Sequence, residues 1–204
     1  MSKLTLATAW LDGCSGCHMS FLDMDERLVE LAQQIEIVHS PLVDTKTLPK
    51  QVDIGILEGA ISTEDDLKHA REFRKHCKLL ISLGDCAVNG NVPAMRNPFG
   101  LDAVLARGYL ERPTDHSPPL IRTQPHQRQV TRESSARPSG EPTPVIPSQG
   151  VPALLDTVRP IHAEVAVDVF IPGCPPSADT IYRVLSDLIE GRTPDINAIT
   201  RFGA

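Results

Sequence analysis

Cys14 and Cys17 form a CxxC, Cys14-Ser15-Gly16-Cys17, and two later cysteines, Cys86 and Cys174, stand singly. Each of these three pieces follows an apolar run of strand character: Leu4 to Leu11, Lys78 to Gly84 and Ala166 to Pro172. In an open parallel sheet the carboxyl ends of the strands share one edge, and ligands bind along it. Cysteines far apart in sequence can converge there. Four soft thiolates in one pocket suit a [4Fe–4S] cluster, and Gly13 and Gly16 let the backbone bend around one.

Two other chemistries use the same residues. Zinc accepts four thiolates, although structural zinc more often takes two paired knuckles than one pair and two singletons. A thioredoxin-like dithiol shares the order strand–CxxC–helix. That reading leaves Cys86 and Cys174 unexplained, and the helix signal at Ser20 starts three residues after Cys17. Spacing favours the cluster and leaves all three open. Cys77 sits where a helix runs into a strand and reads as a small buried hydrophobe.

Other side chains lie near these positions. Glu58 ends a strand on the same edge, where an acid can relay protons, touch a metal or simply cap a loop. Asp85 can brace the Cys86 turn through its backbone. His18 is suited to carrying a proton or donating to a cluster sulfur, and equally to a loop histidine against a partner surface.

Composition narrows the function. Charged residues make up 23% and hydrophobic residues 41%, which suits one soluble domain with a core of its own. A net charge of −6 with 4% aromatics excludes a basic, base-stacking nucleic-acid surface. No apolar run reaches the roughly 18 residues of a membrane helix. Lys3 and the following apolar residues superficially resemble a signal core, but the run before Ala7 is too short. The expected compartment is the cytoplasm, where thiols stay free. There is no dinucleotide fingerprint, P-loop or nucleophile elbow, and no second cysteine group to hold nickel.

The elements that must position the cysteines follow from periodicity. Strands are expected over Leu4 to Leu11, Glu36 to Leu42, Val52 to Leu57, Leu79 to Leu83 and Val165 to Ile171. A helix is expected from Ser20, capped by Ser20-x-x-Asp23, to about residue 35. Another runs from a Thr63-x-x-Asp66 cap to about Cys77. Leu101 to Leu110 and Pro152 to His162 have helical character, and Ser177 to Glu190 is the last helix. Eight of the eighteen prolines fall in 111–150, which reads as a surface insertion within a single domain spanning 1–204. With right-handed crossovers this gives an α/β, doubly wound, three-layer, flavodoxin-like parallel sheet with one long irregular insertion.

Four stretches in order carry a resemblance: Trp10-Leu11-Asp12-Gly13-Cys14-Ser15-Gly16-Cys17-His18-Met19-Ser20, Glu58-Gly59, Gly84-Asp85-Cys86-Ala87-Val88-Asn89-Gly90 and Pro172-Gly173-Cys174-Pro175-Pro176. Together they resemble the small subunit of [NiFe] hydrogenases, most nearly the short one of the cytoplasmic NAD-reducing type. The related quinone-reductase subunit of respiratory complex I usually has adjacent cysteines where this chain has a spaced pair. The resemblance implies one proximal [4Fe–4S] cluster on Cys14, Cys17, Cys86 and Cys174. It implies a large subunit with the nickel–iron centre, diaphorase subunits with flavin and iron–sulfur centres, and NAD on those partners. FMN is compatible with the fold, and no residue here argues for it. Longer small subunits commonly place an acid where Gly13 stands.

Overall fold

The structure, a computed structural model, describes residues 3–111 and 145–200. The expected insertion lies, over 112–144, outside the described residues.

Among the described residues a five-stranded parallel sheet forms the centre, built from β1 (Leu4–Trp10), β2 (Ile35–His39), β3 (Val52–Glu58), β5 (Cys77–Leu83) and β7 (Val169–Ile171). Its spatial order is β2-β1-β3-β5-β7, the flavodoxin-like order in which the direction of strand addition reverses between β1 and β3. The central strands are apolar almost throughout because helices cover both faces. Leu6, Ile54, Ile56 and Ile81 face one core with Phe21, Ile181 and their neighbours. Ala7, Ala9, Leu57 and Leu80 face the other, against Ala70 and Phe73. Each fully buried Leu, Ile or Phe contributes about 1.5–3 kcal/mol over an exposed one, so both faces hold the sheet between its helical layers.

Helix α3 (Glu64–His76) begins at the expected cap. Thr63 Oγ1 accepts from the Asp66 N–H at 3.0 Å, and Asp66 Oδ2 accepts from the Thr63 N–H at 2.9 Å. Helix α7 (Ala178–Ile189) is capped by Ser177, as its sequence predicts. The segment after Gly100 is helical as α6 (Leu101–Leu105), continuing in wider turns over Ala106–Leu110.

Two expected helices depart from the structure, and the strand expected over Val165 to Ile171 is confined to Val169–Ile171. The helix read from Ser20 starts earlier, as α1 (Gly16–Leu22), and is separated from α2 (Arg27–Leu31) by a turn with Asp25 at φ 51°. Ser20 lies inside α1 and does not cap it; its hydroxyl is buried and donates to the Pro176 carbonyl. The second failure is Pro152 to His162. Leu155 and Val158 sit at helical spacing, yet Leu154–Arg159 is a strand, β6, paired antiparallel with β4 (Ile61–Thr63). A tertiary partner outweighs a weak local preference here. Arg96 donates to the Leu155 carbonyl at 2.7 Å, and Asn97 exchanges two hydrogen bonds with the Val158 backbone. Among the described residues no helix is long and apolar enough to cross a membrane.

Candidate metal centre

The carboxyl ends of β1, β3, β5 and β7 deliver four loops to one edge of the sheet. Gly13, Cys14, Gly16, Cys17, Glu58, Asp85, Cys86 and Cys174 line a common cavity of about 70 Å3. All four expected ligands are there. Cys77 starts β5 at the other end of that strand, buried against Gly55 and Phe73.

Each loop is held by bonds that no local pattern announces. The β1 loop is tied to the β3 loop by two backbone hydrogen bonds between Asp12 and Ala60, at 3.1 and 2.7 Å. Gly13 and Gly59 touch there: a Cβ on Gly13 would stand 3.3 Å from Gly59 Cα. Asp85 braces the Cys174 loop and not the turn of its own neighbour Cys86. Its backbone N–H donates to Gly173 O and its carboxylate accepts from the Gly173 N–H, both at 2.8 Å. Short α4 (Asp85–Asn89) carries Cys86, and short α5 (Asn91–Ala94) begins at Asn91. The Asn91 amide Nδ2 donates to Cys174 Sγ at 3.3 Å.

Cys14 and Cys174 are exposed, whereas Cys17 and Cys86 are half-buried. Burial pushes the Cys17 thiol far up, and the negative charge of Glu58, Cys86, Cys14 and Cys174 adds to it. Burial also raises Cys86, followed by Cys174 and Cys14, while the Asn91 amide works the other way. Cys17 and Cys86 would bind as thiolates only beside a cationic centre, because metal ligands must be deprotonated. That fits an iron–sulfur core. Zinc would draw its sulfurs to about 2.3 Å from one ion. Among the described residues no three Cys, His, Asp or Glu converge closely enough for a single metal ion.

The early start of α1 removes one objection to a dithiol, since Cys14 and Cys17 do flank a helix N-terminus. The other objection stands: Cys86 and Cys174 share the same cavity.

His18 is buried on α1, which corrects its reading as a loop residue at a partner surface. Its backbone N–H donates to Glu58 Oε2 at 2.7 Å, and its Nδ1 lies 2.9 Å from the same oxygen but outside hydrogen-bond geometry. Its Nε2 meets Thr8 Oγ1 at 2.8 Å, and Thr8 donates to Ser40 Oγ at 2.8 Å. A buried polar line thus runs from the cavity wall at Glu58 to Ser40. Sequence reasoning missed Thr8, Ser40 and Asn91. Thr8 had one available signal, a hydroxyl within an otherwise apolar strand.

Fold and site together define a flavodoxin-like domain that gathers four cysteines at its ligand-binding edge. Residues 14–188 match the family model described as NADH ubiquinone oxidoreductase, 20 Kd subunit, and the chain belongs to that family. Within it the chain stands with hydrogenase small subunits. It is 40% identical to the delta subunit of the NAD-reducing hydrogenase HoxS of Cupriavidus necator, over 98% of this chain and 86% of the relative. A hydrogenase chain from Methanothermobacter marburgensis is 34% identical over 93% of this chain, which spans only 54% of that relative. A chain in the crystal structure of an NAD+-reducing [NiFe]-hydrogenase in the H2-reduced state superposes with a TM-score of 0.79 at 33% identity. The match covers 98% of this chain and 99% of that one.

Proposed function

We propose that this chain is the electron-transfer small subunit of a cytoplasmic NAD-reducing [NiFe] hydrogenase and holds one [4Fe–4S] cluster through Cys14, Cys17, Cys86 and Cys174. The observation carrying this reading is the meeting of these thiols from three strand ends around one cavity. The Cupriavidus necator relative and the matched crystal structure support the reaction. Hydrogen is split at a nickel–iron site on a large subunit, and NAD is reduced on a flavin- and iron–sulfur-bearing diaphorase.

A cluster at this position supplies reversible one-electron transfer. The chain's own residues do the rest. Cys17 and Cys86 form the half-buried wall, and Cys14 and Cys174 the exposed one, so contact with a partner centre is made past the latter pair. Val92 lines that opening, and Met95 and Phe99 follow it along the chain. These three apolar side chains are 63%, 68% and 69% exposed. An exposed apolar group next to a redox site marks an interface, and covering it also excludes water. Ser20, Asp85 and the Asp12–Ala60 pair keep the loops in register.

Metal analysis of the anaerobically purified complex tests the reading. Wild type and a Cys174→Ala variant should differ by about four irons and four sulfides per copy of this chain. A difference of one zinc in their place would overturn it.

A further inference from the structure

The Asn91 side chain has no part in the fold's core, yet its placement is tightly specified. Asn91 occupies the left-handed region at φ 36°, a conformation that asparagine tolerates better than other non-glycine residues. Its backbone N–H is held by Asn89 Oδ1 at 2.8 Å. With the backbone turned this way, the side chain joins Cys14, Cys86 and Cys174 along the mouth of the site. Nδ2 then lies 3.3 Å from Cys174 Sγ. The amide orientation follows from chemistry: a thiolate only accepts, so the NH2 end must face it.

We infer that Asn91 tunes the reduction potential of this site by donating its side-chain amide to the Cys174 sulfur. The inference rests on the four-cysteine cluster reading above. Reduction adds negative charge that is shared with the ligand sulfurs. A hydrogen bond to a ligand sulfur is stronger in the more negative state, so it favours reduction and raises the potential. Cys174 is exposed in the chain by itself, where water can serve as donor. Once a partner covers this edge, that water is expelled and the Asn91 amide is retained.

Two substitutions separate the hydrogen bond from the backbone. Asn91→Gly keeps the left-handed turn without strain and removes the donor. Asn91→Asp keeps size and backbone tolerance, and replaces the donor by an anionic acceptor. The measurement is a redox titration of the assembled complex followed by low-temperature EPR. Centres on other subunits are common to wild type and variants, so they cancel in the difference. Losing a bond that is stronger in the reduced state should change the oxidised-to-reduced ratio at fixed potential by up to about tenfold, the limit at which the difference equals the whole bond. For one electron that is a midpoint up to about 59 mV more negative in Asn91→Gly. Asn91→Asp should move it further in the same direction. An unchanged or more positive midpoint with the full signal present would overturn the inference. So would loss of the signal in both variants, since Asn91 would then be needed for assembly and not for tuning. If the wild-type complex lacks a signal that depends on Cys174, the ligand reading itself falls, and the two failures are distinct.

Discussion

Gly84 and Cys17 exclude any larger residue between them: a Cβ on Gly84 would fall 2.2 Å from Cys17 Sγ. Gly84 has φ 84° and ψ 161°, a region open essentially to glycine alone. The end of β5 can thus approach the first helix closely enough for Cys17 and Cys86 to share a cavity. Gly84→Ala should carry about 1–3 kcal/mol of backbone strain besides displacing the thiol. The expected outcome is loss of cluster absorbance and iron from the purified complex. Full iron occupancy would show that the close approach is dispensable.

The cysteines divide into two groups. Alanine at Cys14, Cys17, Cys86 or Cys174 should remove iron and hydrogen-dependent NAD reduction. Cys77→Ala should leave both, because that thiol, pushed up to about 11 by burial, packs against Gly55 and Phe73 at the opposite end of β5. Iron analysis of the five variants decides the assignment.

Thr8→Val tests the buried polar line. The substitution preserves volume but leaves His18 Nε2 and Ser40 without the hydroxyl between them. A buried polar group without a partner costs about 1–3 kcal/mol, so the urea midpoint should fall. Iron content should hold, since Thr8 is not among the residues lining the cavity.

Acid sensitivity should come in part from two carboxylates. Asp53 is held below the usual range first by a hydrogen bond from Lys78 and then by the Thr5 backbone. Glu164 is lowered chiefly by Arg159, with Arg71 assisting against its burial. A depressed carboxyl adds stability above its unfolded pKa and loses that contribution as pH falls through the folded value. Asp53→Asn and Glu164→Gln should lower the urea midpoint at neutral pH. The gap from wild type should narrow once the pH drops below about 4.

Assembly should depend on the apolar ridge beside the site. Charge introduced at Val92 or Met95 should weaken association with a large subunit more than charge reversal on the solvent side of α3, at Lys68 or Lys75. Co-purification yields measure this, and the reverse ranking would place the interface elsewhere.

The sequence by itself determined the sheet and the convergence of the cysteines. Apolar runs ending in Gly-Cys or Gly-Asp-Cys give parallel strands, and parallel strands all deliver their carboxyl ends to one edge. That inference needs only local pattern and the handedness of crossovers. The partners beyond the strands were decided by the tertiary structure. Leu154–Arg159 became a strand because β4 offers an unpaired edge and Arg96 and Asn97 bind its backbone. Ser20 reads locally as a cap, yet its hydroxyl is taken by Pro176, far along the chain. His18 reads as a loop side chain until the β3 end places Glu58 beside it. Asn91 meets Cys174 only because the β5 and β7 loops share an edge. Side-chain hydrogen bonds depend on positions in space to within a fraction of an ångström, and sequence spacing carries that information only within a turn or two of the same element.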